Sequence, residues 1–367
     1  MIRKVRSNKY TVIQQDIKKL RDRLGNLTSV TNAEWYSLFK EEIRHSLAID
    51  GVFVNRKVLL DVLENNKRTN QKEAAILGYY EAARTMYEYA NNQFKENEFV
   101  LRMADIKQIH TLLLRYENDP ASPAGQAGEF RRNDIQAGPT GLTPISKYYV
   151  REAMEQLIKW FNESLKNKTY DPVTLAAITH VWFEKIHPFN EGNGRVGRIL
   201  LSHILIGQGL VNVAIKGSSK QEQKHYHSVV EQSDSCFKEI HRLIATNEKL
   251  DPSIINNSIK KESFALLVQM ISGLIKKTID RLEKGRTTHL STEAVLPLRH
   301  LAKMYDYSQD YLRNLINRGQ VDAHKKGKLW YVRVQDLERY INSGNLEGED
   351  PSFIEVLKEV MEEDRKE

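Results

Sequence analysis

Between two stretches of helical apolar spacing the chain runs His187-Pro188-Phe189-Asn190-Glu191-Gly192-Asn193-Gly194-Arg195-Val196-Gly197-Arg198. Gly192 and Gly194 permit backbone conformations and close approaches that a side chain would block. They stand just ahead of a helix marked by Val196, Ile199, Leu200 and Ile204, whose unpaired N–H groups and dipole favour an anion. Arg195 and Arg198 are three apart on its first turn, so both forked guanidiniums can face the same anion. Asn193 can donate amide hydrogens to a phosphate oxygen. Glu191 offers the hard oxygen that magnesium uses beside phosphates, and His187 can exchange protons near neutrality. A base, a metal carboxylate, an oxyanion donor and two phosphate clamps are what phosphoryl-type transfer needs, because positioning and charge stabilisation supply most of its rate. A helix corner whose glycines serve packing alone would require no such combination.

The rest of the composition limits the setting. The chain has 367 residues, 40% of them hydrophobic and 28% charged, a globular profile with room for two or three domains. Its net charge of +7 favours polyanions in general without choosing among them. A single cysteine, Cys236, excludes an internal disulfide framework and is read as a buried, idle thiol. No apolar run approaches the roughly 20 residues of a membrane span, and Met1-Ile2-Arg3-Lys4 does not begin a signal peptide. A cytoplasmic protein without membrane contact is expected.

Along the chain, helical spacing dominates. It covers residues 34–95, with Leu77, Tyr80, Ala83, Met86 and Tyr87 clearest, and here Tyr79, Tyr80, Tyr87 and Tyr89 read as helix packing. Glycines and prolines break it between Asp119 and Pro144, around a strand-like piece near Phe130–Ile135. It resumes through Val150–Phe161 and Leu175–Trp182, and again over residues 252–284. His180 is read as a satisfied core histidine; a zinc pair with His187, two turns along one face, has no third ligand in sight.

The loop resembles the motif of the Fic family, HPFx(D/E)GNGRxxR, with Glu191 in the acidic place. The resemblance covers roughly residues 70–235. It implies a mainly α fold, a Fic helical core with a small β-hairpin flap, and AMP transfer from ATP to a Ser, Thr or Tyr hydroxyl of a target protein or of the chain itself. It also implies residue roles. His187 would be the base, Glu191 would hold Mg2+, and Asn193 with the amides of Gly192 and Gly194 would face the α-phosphate. Arg195 would grip the β-phosphate and Arg198 the γ-phosphate, while Phe189 would anchor the loop. Gly194 stands where a kinase-like branch carries Lys. Glu129–Ile135 with Gly138-Pro139 resembles the flap that pairs with a target backbone, and Tyr226 matches a position near the adenine. Ser46-Leu47-Ala48-Ile49-Asp50-Gly51 resembles the family's inhibitory (S/T)xxxE(G/N) sequence, whose acid pairs with the second motif arginine. Here that acid is Asp50, one methylene shorter, and an ordinary helix-end turn is the competing reading.

A second unit follows. Leu298–Tyr305 and Ser308–Arg318 read as two helices, Val321–Val334 as a hairpin around Lys326-Gly327-Lys328, and Val334–Ile341 as a closing helix. The order resembles winged helix-turn-helix domains of excisionase and MerR type. Nine basic and five acidic residues across 298–341 leave +4, which suits DNA phosphates, although a wing that docks protein would read alike. The expected division is an N-terminal helical region with the inhibitory motif (1–70), the catalytic core (71–235), a helical extension (236–286), the winged domain (287–345) and a terminal helix (346–367). The implied partners are ATP, a target protein and double-stranded DNA, with self-association open. The alternatives are removal of AMP, or a DNA-binding regulator whose core senses nucleotide without turnover.

Overall fold

Asp171 and Pro172 show how the chain starts a helix. Asp171 accepts from the backbone N–H groups of Val173 and Thr174 (3.1 and 3.0 Å), and Pro172 occupies the first turn, where its missing donor costs nothing. Asn70 does the same for Glu73 at 3.0 Å. The computed structural model describes residues 33–342 and, ahead of them, 15, 17–19 and 22. Outside the described residues lie 66–68, 118–126, 136–142, 249, 288–294, 306, 308, 328 and everything from 343. Gly138-Pro139 of the flap, the cap at Ser308, Lys328 and the terminal helix of 346–367 therefore fall outside them.

The chain forms two units, Met1–Glu283 and Lys284–Glu367. In the first, helices α1 (Ala33–Ile49), α2 (Arg56–Asn65), α3 (Gln71–Lys95), α4 (Met103–Leu113) and α5 (Val150–Lys166) come before the loop-bearing pair α6 (Pro172–Ile186) and α7 (Asn193–Gly207). Beyond them come α8 (Lys220–Glu231), α9 (Lys238–Ala245), α10 (Pro252–Ser258) and α11 (Ala265–Thr287). Helix α7 packs on α1, α3, α4 and α6. Every residue of α6 from Val173 to Ile186 is buried, as is α7 apart from Gly194. A helix apolar nearly all round can only sit inside such a bundle. The one continuous core places the loop between two helices that cannot shift without repacking it.

The described part of the expected flap contains no strand. Residues 127–135 and 143–146 run without regular structure, and 136–142 lie outside the described residues. Side-chain hydrogen bonds hold this segment where ladder bonds were expected.

In the second unit, α12 (Leu298–Tyr305) and α13 (Gln309–Asn317) precede the hairpin β2 (Ala323–Lys326) and β3 (Leu329–Arg333), and α14 (Val334–Asn342) closes it. A short strand the sequence reading did not anticipate, β1 (Val295–Pro297), pairs antiparallel with β3, giving the order β1-β3-β2. Pro297 is tolerated because β1 is an edge strand. Leu301, Leu312, Leu315, Val332 and Leu337 form a small core of their own. Among the described residues, no helix is long and apolar enough to cross a membrane.

Candidate active site

Helix α6 ends on His187, which adopts a left-handed conformation (φ 51°, ψ 63°) that costs a non-glycine residue energy. Arg131 over-determines it. Its Nε donates to His187 O (2.8 Å), its Nη1 to Asn133 O (2.9 Å), and its Nη2 to Ile145 O and Ile186 O, while its backbone N–H donates to Pro188 O (2.9 Å). One buried guanidinium thus fastens the flap segment to the loop. His187 Nδ1 lies 3.3 Å from Glu184 O; donating there leaves Nε2 with its lone pair. Burial pushes the imidazole down to about 4, so it is neutral and able to accept a proton.

The loop is braced from within. Phe189 is fully buried and stacks on His110, with ring centroids 3.8 Å apart. Asn193 Nδ2 donates to Phe189 O (2.8 Å) and its Oδ1 accepts from Phe189 N (2.9 Å), so one donor and the oxygen of this side-chain amide brace the loop itself. Gly128 N donates to His110 Nδ1 (2.8 Å), which leaves His110 Nε2–H to reach Glu191 O at 3.3 Å. Gly192, at φ +74°, makes the turn into α7. Glu191 itself is exposed at the loop's edge.

Arg195 and Arg198 are brought together on the first turn of α7, and both meet carboxylates. Asp50, just beyond the end of α1, accepts from Arg198 Nη2 at 2.9 Å and lies 3.5 Å from Arg195 Nε. Ser46 completes the contact, its Oγ and carbonyl accepting from Arg198 at 2.7 and 2.9 Å. Gly194 leaves room beside the acid; a Cβ there would lie 3.2 Å from Asp50 Oδ1, tighter than an ordinary contact. Burial opposes charge on Arg198, yet Asp50 beside it raises its pKa overall. Glu117, which the sequence reading missed, accepts from Arg195 Nη1; both side chains are 10% exposed. Burial raises the Glu117 pKa, Arg195 opposes that, and Glu191 and Asp50 add to it, so three carboxylates share this corner.

Tyr226 is not presented as an open adenine surface in this state. It is 3% exposed, and its hydroxyl meets His180 Nε2 at 2.7 Å. With Nδ1 of His180 3.0 Å from Gly197 O, both ring nitrogens are satisfied, as expected for a core histidine. Two further buried acids surround Arg198. Glu42 on α1 accepts from Tyr79 (3.1 Å), Tyr87 and Asn212 (2.6 Å), and burial raises it to about 7. Glu184 is raised to about 7 by the same cause against the pull of Arg198. A Cβ on Gly197 would lie 2.2 Å from Glu184 Oε1. Gly197→Ala is therefore expected to cost about 1–3 kcal/mol through overpacking, read by calorimetry as a lower Tm. An unchanged Tm would mean that the Glu184 carboxyl swings clear without strain.

The site's residues fit a magnesium ion bound with a nucleotide. Among the described residues, no group of three or more His, Cys, Asp or Glu could hold a metal ion. Exposed Glu191 supplies one carboxylate, and magnesium is commonly held by one or two carboxylates plus substrate phosphates.

Comparisons with known proteins agree with this geometry. Residues 100–205 match the Fic/DOC family, and residues 297–345 match a helix-turn-helix domain. A probable protein adenylyltransferase of Aquifex aeolicus is 27% identical over 302 residues, covering 82% of this chain and 86% of its own length. The protein adenylyltransferase Fic of Drosophila persimilis is 26% identical over 274 residues; 73% of this chain matches only 49% of that protein. Among solved structures, a Fic domain containing signaling protein from Bacteroides thetaiotaomicron superposes with a TM-score of 0.54 at 20% identity, over 73% of this chain and 96% of that one. Fic-1 from C. elegans gives 0.54 at 20% identity, over 77% and 74%. The chain carries a Fic/DOC family domain in its first unit and a helix-turn-helix domain in its second.

Proposed function

We propose that the first unit transfers AMP from ATP to a protein hydroxyl and that Asp50 restrains it. The observation that carries this reading is the convergence of His187 with Arg195 and Arg198 around one loop, where the Asp50 carboxylate pairs with both guanidiniums as phosphate oxygens would. In the reaction, the target hydroxyl oxygen attacks the α-phosphorus and the bond to the bridging β-oxygen breaks. Pyrophosphate leaves, and Nε2 of His187 takes the hydroxyl proton. Arg195 and Arg198 bind the β- and γ-phosphates, and backbone N–H groups at the start of α7 face the developing charge. Glu191 would hold Mg2+, which neutralises phosphate charge when bound. Incubation of the Asp50→Gly chain with labelled ATP and Mg2+, alone and with cell extract, tests the reading; no labelled protein in either would refute it.

The second unit is assigned duplex DNA as its partner. Lys325 and Lys326 stand exposed on β2, Arg299 on α12 and Arg313 on α13, and the similarity to helix-turn-helix domains supports a groove-reading role. The whole chain should bind a mixed-sequence duplex less tightly as salt rises, because condensed counterions are released on binding. Lys325→Glu with Lys326→Glu should weaken it further and flatten the salt slope by about 2. Binding that ignores salt, or that is absent at low salt, would point to protein docking.

A further inference from the structure

The Arg195 guanidinium is only partly used by the protein. Its Nη1 donates to Glu117 Oε1, while its Nε is buried and makes no hydrogen bond. Asp50 Oδ2 lies 3.5 Å from that Nε, near enough for charge attraction and too far for a good hydrogen bond. Nη2 is on the loop side, 3.9 Å from where a Cβ on Gly192 would stand. Buried donors are rarely left unpaired. Nε–H and Nη2–H point the same way and form a fork that matches two oxygens of one phosphate. Glu117 therefore holds the one nitrogen that this fork does not use.

The carboxylate rests on a fixed backbone. Glu117 N–H donates to Leu114 O (3.0 Å) just past the end of α4. A Cβ on Gly192 would meet Leu113 Cδ2 at 3.4 Å and Leu114 Cδ2 at 3.7 Å, so the end of α4 packs against the glycine-rich loop. One turn earlier on α4, His110 reaches Glu191 O at 3.3 Å. Glu117 and Arg195 are thus carried on parts that are braced together. Both side chains are 10% exposed, so without the carboxylate the guanidinium would be a nearly buried cation able to turn to other acceptors. A carboxylate here could instead compete with the β-phosphate for Arg195, as a second brake. The geometry argues against that, because a competitor would sit on the Nε–Nη2 fork, and Glu117 sits on Nη1.

We infer that Glu117 is a positioning residue for the leaving pyrophosphate: it holds the Arg195 guanidinium so that the Nε–Nη2 fork is turned onto the β-phosphate. The inference rests on the AMP-transfer reading for what the fork meets. A fork held in place before the nucleotide arrives does not have to be ordered on binding, which favours both affinity and the departure of pyrophosphate.

The test uses the full chain carrying Asp50→Gly, titrated calorimetrically in Mg2+ with ADP and with AMP, which lacks the β-phosphate. Glu117→Ala should weaken ADP binding by at least about tenfold and leave AMP binding unchanged. Glu117→Met, of similar length and without an acceptor oxygen, should show the same loss and serves where alanine unfolds the chain. Glu117→Gln keeps an acceptor oxygen at the same reach and should restore most of the ADP affinity. A brake would give the opposite result, since every one of these variants removes its charge and ADP would bind more tightly to each. If ADP and AMP lose affinity together, if ADP binds more tightly, or if Glu117→Gln is no better than Glu117→Met, the positioning role is overturned while AMP transfer stands. If the ADP loss and its rescue by Gln appear in a chain that labels no protein, the role of Glu117 stands and the transfer reading fails.

Discussion

His187→Ala is expected to lower AMP transfer by about a hundred- to ten-thousand-fold, the usual contribution of a positioned general base, while ATP still binds. The imidazole contributes a neutral Nε2 and no phosphate contact in this arrangement, because its Nδ1 is turned to Glu184 O. Arg195, Arg198 and the start of α7 are untouched by the change. Histidine is favoured over alanine in the left-handed backbone at 187, so the Tm of the variant serves as the control for folding. Rate and affinity should therefore separate: labelled-ATP initial rates collapse, and equilibrium nucleotide binding, measured in the Asp50→Gly chain, moves little. Wild-type labelling rates in the variant would end the assignment of His187 as base.

Asp50→Gly is expected to raise AMP transfer by about tenfold or more, equivalent to at least ~1.4 kcal/mol at the barrier. An exposed ion pair is worth at most about 1 kcal/mol, but this one is not exposed on both sides. Arg198 is 5% accessible and Asp50 29%, and Ser46 holds the same guanidinium through two more bonds. Removing the acid leaves a buried cation that a γ-phosphate can satisfy, so the nucleotide gains what the restraint loses. Glu117 still pairs with Arg195 in that variant, so the gain should pass through Arg198. Arg198→Ala in the same background should reverse it. Asp50→Glu is expected to hold the rate at or below that of the wild type. Equal rates in all three position-50 chains, at saturating ATP and Mg2+, would make Ser46–Gly51 an ordinary helix end.

The glycine-rich loop was legible because its demands are local. Positive φ at Gly192, two arginines on one turn and a helix start are all properties of neighbouring residues. The pairing of Asp50 with Arg198, 148 residues away, was reached only through a resemblance, since spacing carries no signal over that distance. Glu117 and His110 could not be found at all. Each is a single polar residue in or after an amphipathic helix, a pattern that solvated surfaces share, and only packing brings them to the loop. Asn193 shows a different limit: its neighbours place it in the loop, but no spacing reveals that its side chain bonds the Phe189 backbone. In the second unit, alternation predicted the hairpin well, but three residues ending in Pro297 gave no period to read, so β1 went unseen.

Arg131 carries an evolutionary consequence. Because the Arg131 guanidinium, with the Arg131 and Gly128 backbone N–H groups, fastens the described part of this segment, its attachment to the loop does not depend on strand register. Adding residues to such a connection costs only about 0.6 kcal/mol for each doubling of its length. Changes of length outside residues 128–134 therefore leave these attachments intact, and a lineage can try new surfaces there while the glycine-rich loop stays fixed. Substitution of Arg131 itself has no such latitude.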